Sequence, residues 1–369
     1  MNIIKKIVFL SIFLSIILNN SIASAINAGT YQKISAKNNP QIFIYKAIKN
    51  PSAIAVNSHD EIFIAGGDKN RYEIAVFNIK GKRLKTFIYG KDLKHQYKDK
   101  NKSVKAINEK AGKIYIYKNK GIIKPWSIFI GNKGNIWVAN EGGKRGFISK
   151  ISSDNGRVLL KITKQINFPY SIAFEKNGDI LAANYGNGFD GYISEYNPDG
   201  LFLKKIVKGI ENPYSIIIGN KGNIYAANYN KGDIVCLSNN GKLLWSSYKD
   251  ISYPYTLLLG KKGNIWVIND GPVYGGLIEY SGNGEVIRKI YFGINYPYGA
   301  AEDRAGNIFV ANFNNNTVSK FNKDGKFEGF AGSVKKPIGI AVDGKGDVFA
   351  LNDDGNFTEI TGAGDRANR

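Results

Sequence analysis

Cysteine is nearly absent. Cys236 stands alone, so no internal disulfide can form, and its expected role is that of a small buried apolar side chain rather than a reactive thiol. Histidine is almost as scarce: with only His59 and His95, no Ser-His-Asp set can be placed, and signals for an enzyme are poor. Acidic residues are outnumbered, 30 against 51 basic ones, for a formal charge of +21. That excess favours anionic partners such as surface polymers, acidic glycans or phospholipid headgroups. The lysines are scattered, however, and follow a general richness in Lys and Asn. No segment sustains a 3.6-residue period, which excludes helices as the main element.

Only one long apolar run is present, Ile7 to Leu18. It follows Lys5 and Lys6 and precedes Ala23-Ser24-Ala25, the pattern of a secretory signal peptide over residues 1–25. It is short for a membrane span, and no cysteine follows it to carry a lipid; an uncleaved anchor is the alternative reading. Lys5 and Lys6 are its only charged residues, so cleavage after Ala25 leaves a chain of charge +19. The expected location is outside the cytoplasm, secreted or periplasmic and cell-envelope, with no transmembrane segment in the mature chain. Export argues against nucleic acid as the partner. Residues 26–40 are polar and read as irregular.

What is abundant is Gly, 42 residues, with 22 Tyr and 20 Phe, the composition of a turn-rich β protein. The unit Asn212–Ile251 shows why. Pro213 and Tyr214 open a short apolar run; a turn over Asn220-Lys221-Gly222-Asn223 leads to Ile224–Ala227 and Asn228. Two further runs follow, Asp233–Leu237 and Leu243–Trp245, separated by another Asn/Gly turn. The opening proline recurs at Pro51, Pro125, Pro169, Pro213, Pro254, Pro297 and Pro337, with gaps of 74, 44, 44, 41, 43 and 40 residues. Four short strands in ~40–45 residues is the period of a β-propeller blade. The expectation is an all-β chain forming a single β-propeller of about seven four-stranded blades over 41–361, with eight or six as alternatives, followed by a polar tail at 362–369. The last unit lacks a fourth strand. Gln41–Ile48 reads as a strand that supplies it and closes the ring, leaving no open edge. The long first gap holds a charged insert at 90–102, then Val104–Ile107 and Lys113–Tyr117, which form either a decorated extension or a degenerate blade.

Two segments carry a family likeness. PIGIAVDGKGDVFALNDDGNFTEI, from Pro337, resembles the NHL repeat, and FVANFNNNTVSKFNKDGKF, from Phe309, is similar to the related YVTN repeats. The resemblance implies a propeller of the NHL/YVTN kind. Propellers of this group serve as protein-, RNA- and surface-binding modules, and similar rings occur in lactonases and streptogramin-type lyases. Fold likeness alone does not choose among these activities.

The residue after the proline is aromatic in five consecutive units, Trp126, Tyr170, Tyr214, Tyr255 and Tyr298; the outer units have Ser52 and Ile338. Fourteen residues later stand Asn140, Asn184, Asn228, Asn269, Asn312 and, in the last unit, Asn352, with Gly66 in the first. The polar turn lies midway, so an antiparallel hairpin should set each aromatic beside its asparagine at one mouth of the central channel. Glu141, Asp270 and Asp353 follow three of these asparagines, and Tyr185, Tyr229 and Phe313 follow the other units' asparagines. Read functionally, the two rings form a platform on which aromatic faces stack against sugars or peptide side chains while amides donate and accept. Read structurally, the asparagines cap turns and the aromatics wedge between blades.

These observations favour a monomeric, exported binding module that recognises a protein segment or glycan at the channel mouth. The alternative is a metal-dependent lactonase or hydrolase, or a lyase, in the same channel; a structural cell-envelope protein is the second alternative. No cofactor is expected. If the likeness extends to lactonase propellers, Asn184, Asn228 and Asp270 imitate their oxygen-ligand set, which suits Ca²⁺ or Mg²⁺, but no Glu is placed on an innermost strand. A lyase of the streptogramin kind would need a histidine near the channel, and none is visibly offered.

Overall fold

The computed structural model describes residues 41–68, 71–90, 104–109, 112–117, 121–131, 133–188, 190–270 and 275–364. The expected signal peptide, the irregular segment 26–40 and nearly all of the charged insert lie outside these residues. Among the described residues there are strands and no α-helix, and therefore no helix long and apolar enough to cross a membrane.

The strands form seven blades in a ring. Blade 4 is the type unit, with strands Pro213–Ile218, Ile224–Asn228, Asp233–Leu237 and Leu243–Ser247 joined in antiparallel order. Burial follows position in the blade. Second strands are buried at every residue in blades 2 to 7, as in Ile136–Asn140 and Ile265–Asn269, because neighbouring blades cover both faces. Outermost strands alternate between half-buried and exposed, since only one face meets the next blade. Among the described residues a separate apolar cluster fills each of the seven blade interfaces. Stacking thus buries what no blade buries alone, as repeat architectures require.

Closure occurs as the sequence implies. Strand β1 (Gln41–Lys46) pairs antiparallel with Asn356–Thr361, completing the last blade. Tyr45 anchors it: its ring centroid lies 5.0 Å from that of Phe357, and its hydroxyl donates to Glu359 at 2.9 Å. Burial, with the carboxylate second, pushes the Tyr45 phenol up to about 12. Blade 1 consists of β2 (Pro51–Val56), β3 (Glu61–Asp68), β4 (Arg71–Asn78) and β5 (Arg83–Tyr89). The segment that resembled a degenerate blade is a hairpin, β6 (Val104–Glu109) and β7 (Gly112–Tyr117). β7 pairs parallel with β5, so this sheet has six strands. The extra hairpin is an extension on the outer edge of blade 1, and the ring has seven blades.

Candidate functional site

The mouth of the channel is built by one local device repeated seven times. In each unit the opening proline stands opposite the asparagine position: Pro125 and Asn140, Pro213 and Asn228, or Pro51 and Gly66 in blade 1. The register then slips by one, so the residue after the proline is the extra residue of a β-bulge. This corrects the simple hairpin register, which put aromatic and asparagine side by side. Proline has no N–H to give the ladder, and a bulge re-aims the next side chain out of the sheet.

The residue before the proline takes the left-handed conformation in six units, for example Asn212 at φ 48° and Tyr296 at φ 52°. That is unfavourable for a non-glycine residue, by roughly 1 kcal/mol or more. Two hydrogen bonds hold it. Its carbonyl accepts from the N–H that follows the asparagine, as in Tyr229 N to Asn212 O at 3.1 Å. The asparagine Oδ1 accepts from the N–H two residues before the proline in five blades: Ile123, Asn167, Glu211, Ser252 and Asn295. The Nδ2 groups turn inward as well, Asn184 to Ser194 Oγ at 2.8 Å and Asn312 to Ser319 Oγ at 2.7 Å. Asn352 exchanges bonds with Thr358. All six asparagines are buried. Their amides latch the incoming loop onto the blade and lie beneath the surface that a ligand would meet.

The aromatics lie above this latch. Trp126 stacks on Tyr170 with centroids 4.1 Å apart, and Tyr170 on Tyr185 at 4.7 Å. Tyr214 is the hub: it stands edge-on to Tyr170 at 4.9 Å, stacks on Tyr229 at 4.3 Å, and reaches Tyr255 at 5.1 Å, Tyr185 and Trp126. Tyr255 continues to Tyr298, and Tyr298 to Phe313. Tyr253, 40% exposed, joins through Tyr229. The five sequence-predicted aromatics, with Tyr185, Tyr229, Tyr253 and Phe313, therefore form one contiguous, half-buried aromatic surface drawn from five adjacent blades. Short polar residues tie the innermost strands together and set the spacing: Ser127 Oγ donates to Tyr170 O at 2.6 Å, and Ser171 and Ser215 accept from Ile216 N and Leu257 N in the next blade. Tyr253 and this serine tie are what sequence reasoning missed. The small polar residue two places after the proline was the available signal.

Asp270 is the chemically distinct group of the site. Its backbone N–H is held by Tyr253 O at 3.0 Å. Its Oδ1 is buried and has no hydrogen-bond partner among the described residues. Burial alone raises the carboxyl to about 7. Its charge in turn acts on Tyr229, Tyr255, Tyr296 and Tyr298, whose phenols are raised first by burial. Asp353 acts likewise on Tyr298, and Glu141 on Tyr170.

Two members of the postulated oxygen-ligand set are engaged in the latch. Asn184 and Asn228 direct their carbonyl oxygens at the backbone N–H groups of Asn167 and Glu211. Three other acids, Glu175, Asp179 and Glu195, lie close together at the far end of blade 3, where Lys204 pairs with Glu195 at 2.9 Å. Among the described residues the one histidine is His59, in the β2–β3 turn. That turn is at the opposite end of the hairpin from the mouth; His95 lies outside the described residues.

No family profile matches the chain, and no curated protein sequence does. The likeness to NHL repeats thus stays one of motif. Solved structures do match. A streptogramin B lyase aligns over 88% of this chain and 98% of its own with a TM-score of 0.67 at 15% identity. A virginiamycin B lyase from Staphylococcus aureus aligns over 87% and 99% at TM-score 0.65 and 15% identity. A catalytically inactive histidine-to-alanine variant of the Staphylococcus aureus lyase, solved with quinupristin, gives 0.63 at 15%, over 87% of this chain and 99% of its own. Identity this low shows a shared fold, that of a β-propeller, and no more.

Proposed function

We propose that the protein is an exported binding module that recognises a protein segment or glycan through the aromatic surface at the channel mouth. The observation that carries the reading is that nine rings from five blades lie in one contiguous surface without being fully buried. Aromatic rings give rigid contact area at low entropic cost and dominate binding hot spots. The asparagines contribute by fixing the rings from below. Screening against peptide and glycan arrays, with Tyr170→Ala and Tyr255→Ala as controls, tests this. Binding that survives both substitutions in a folded protein overturns it.

A second reading is favoured by Asp270. A carboxyl that titrates near neutrality beside a ligand surface suits a general base, and solved structures that share this fold include lyases. Incubation with quinupristin, followed by mass analysis for a lyase product, separates the two. Absence of any product at high enzyme concentration ends the lyase reading for that substrate class.

A further inference from the structure

Acids as well as cations stand at the mouth of this basic chain. The protein carries +21, yet the acids that act on the aromatic surface are Asp270, Asp353 and Glu141. Among the described residues no cation is paired with Asp270. Around it stand tyrosines from three blades, Tyr229, Tyr253, Tyr255, Tyr296 and Tyr298, none of which supplies a compensating charge. A half-buried carboxyl with one buried oxygen left unpartnered is the reverse of what stability alone would retain.

The same surface already holds one ammonium. Lys336 Nζ sits 5.5 Å from the centroid of Phe313, at the blade 6 end of the surface. Phe313 touches Tyr298, which touches Tyr255 beside Asp270. The rings nearest the carboxylate carry no such cation among the described residues. Aromatic faces attract ammonium groups, more strongly when desolvated, and a neighbouring carboxylate adds to that attraction.

Resting on the binding-module reading, we propose that this surface takes an organic ammonium ion, seated on the faces of Tyr255, Tyr298 and Tyr229 with Asp270 as its counter-charge. Two sources carry that chemistry, the lysine side chain of a protein segment and a choline-type head group. Either one requires Asp270 in its charged form. The empty site is protonated below neutrality, so ammonium binding must expel a proton there. For a group titrating near 7, affinity should fall about tenfold from pH 8 to pH 6. Both candidate ligands keep their charge across that range, and His59 lies at the other end of the channel.

Calorimetry on the full chain tests the proposal with three probes: choline, its neutral carbon isostere dimethylbutanol, and Nα-acetyl-lysine methylamide. At pH 8 at least one cation should bind roughly tenfold or more tighter than the neutral isostere, as cation–π attraction plus one carboxylate predicts. The tighter cation identifies the source. Asp270→Asn should erase both the preference and the pH dependence, and Asp270→Glu should restore part of each. If Asp270→Asn does not fold, the pH dependence in the unaltered protein decides. Equal binding of cation and isostere, no binding of either cation, or binding that is flat between pH 6 and pH 8 overturns the proposal. The wider binding reading is scored separately, by array binding that depends on Tyr170 and Tyr255, so it can stand when the cation assignment falls.

Discussion

Blades 2 to 6 and the flanking pair, blades 7 and 1, differ at the position after the proline. The five central blades place an aromatic there; blade 1 has Ser52 and blade 7 has Ile338. Yet all seven hairpins show the same bulge and the same bond to the carbonyl before the proline, including Gly67 N to Asn50 O at 3.1 Å and Asp353 N to Lys336 O at 3.0 Å. A blade therefore forms without the aromatic. What the central blades add is a surface, and that surface contains a carboxylate that burial holds half-protonated near neutrality. Ligand-binding regions commonly trade stability for such arrangements.

The largest expected effect concerns the flank. Removing residues 41–48 takes the β1 ladder, the Tyr45–Phe357 contact and the buried Ile48 from the blade 7 and blade 1 junction. A loss of roughly 5 kcal/mol is expected from burial and lost hydrogen bonds. Thermal unfolding measures it, and an unchanged melting temperature would mean that the ring does not need this closure.

The next effect belongs to the centre. Asp270 titrates near 7 in the folded chain against an ordinary acid value near 4, so the folded state holds the proton more tightly. The stability it confers is full below the ordinary value and is lost as pH rises through about 7. At ~1.4 kcal/mol per unit, the whole contribution is at most ~4 kcal/mol. Other acids raised by burial slope the same way, among them the half-buried Glu175 and the buried Glu359. The quantity to read is therefore the difference between the unaltered protein and Asp270→Asn. That difference should shift in favour of the variant between pH 4 and pH 7.5; parallel curves would contradict the assignment.

Swapping the latch residues sharpens the comparison further. In blade 1 a Cβ on Gly66 would lie 2.4 Å from Asn50 O and 2.7 Å from Pro51 Cα. Gly66→Asn, which restores the motif of the other blades, should thus destabilise by ~2–3 kcal/mol through overpacking. In blade 6, Asn312→Ala leaves Asn295 N without its acceptor and should lose ~2 kcal/mol. Denaturant titration of both variants checks this. A neutral Asn312→Ala would show that the latch is dispensable.

Much of this was legible in the chain. Seven opening prolines, the last six of them 40–44 residues apart, marked the blades, the missing fourth strand of the last unit pointed to β1, and the aromatics were gathered at one mouth. Other features were not legible for physical reasons. The bulge falls on the first residues of the strand, ahead of the apolar run, so no break in the hydrophobic pattern marks it and the offset between Tyr214 and Asn228 looked like a regular pair. The β6–β7 hairpin has strand composition, but only tertiary pairing decides that it adds parallel to β5. Asn184 and Asn228 have the right atoms for a cation, and only the observed bonds to Asn167 and Glu211 show that those oxygens are engaged. Asp270 was visible as a neighbour of the asparagine ring, but its isolation among tyrosines depends on burial.

The most direct measurement is made on one protein, Tyr214→Ala, at the hub of the surface. Its melting temperature and its affinity for a ligand found on the arrays are read together. Blades 1 and 7 form without an aromatic at this position, so the variant should fold with only a small fall in melting temperature. Truncation at a hot spot often costs roughly 2 kcal/mol, so binding should weaken ~30-fold. A large fall in melting temperature with unchanged affinity per folded molecule would instead make Tyr214 a wedge between blades, and would contradict the account.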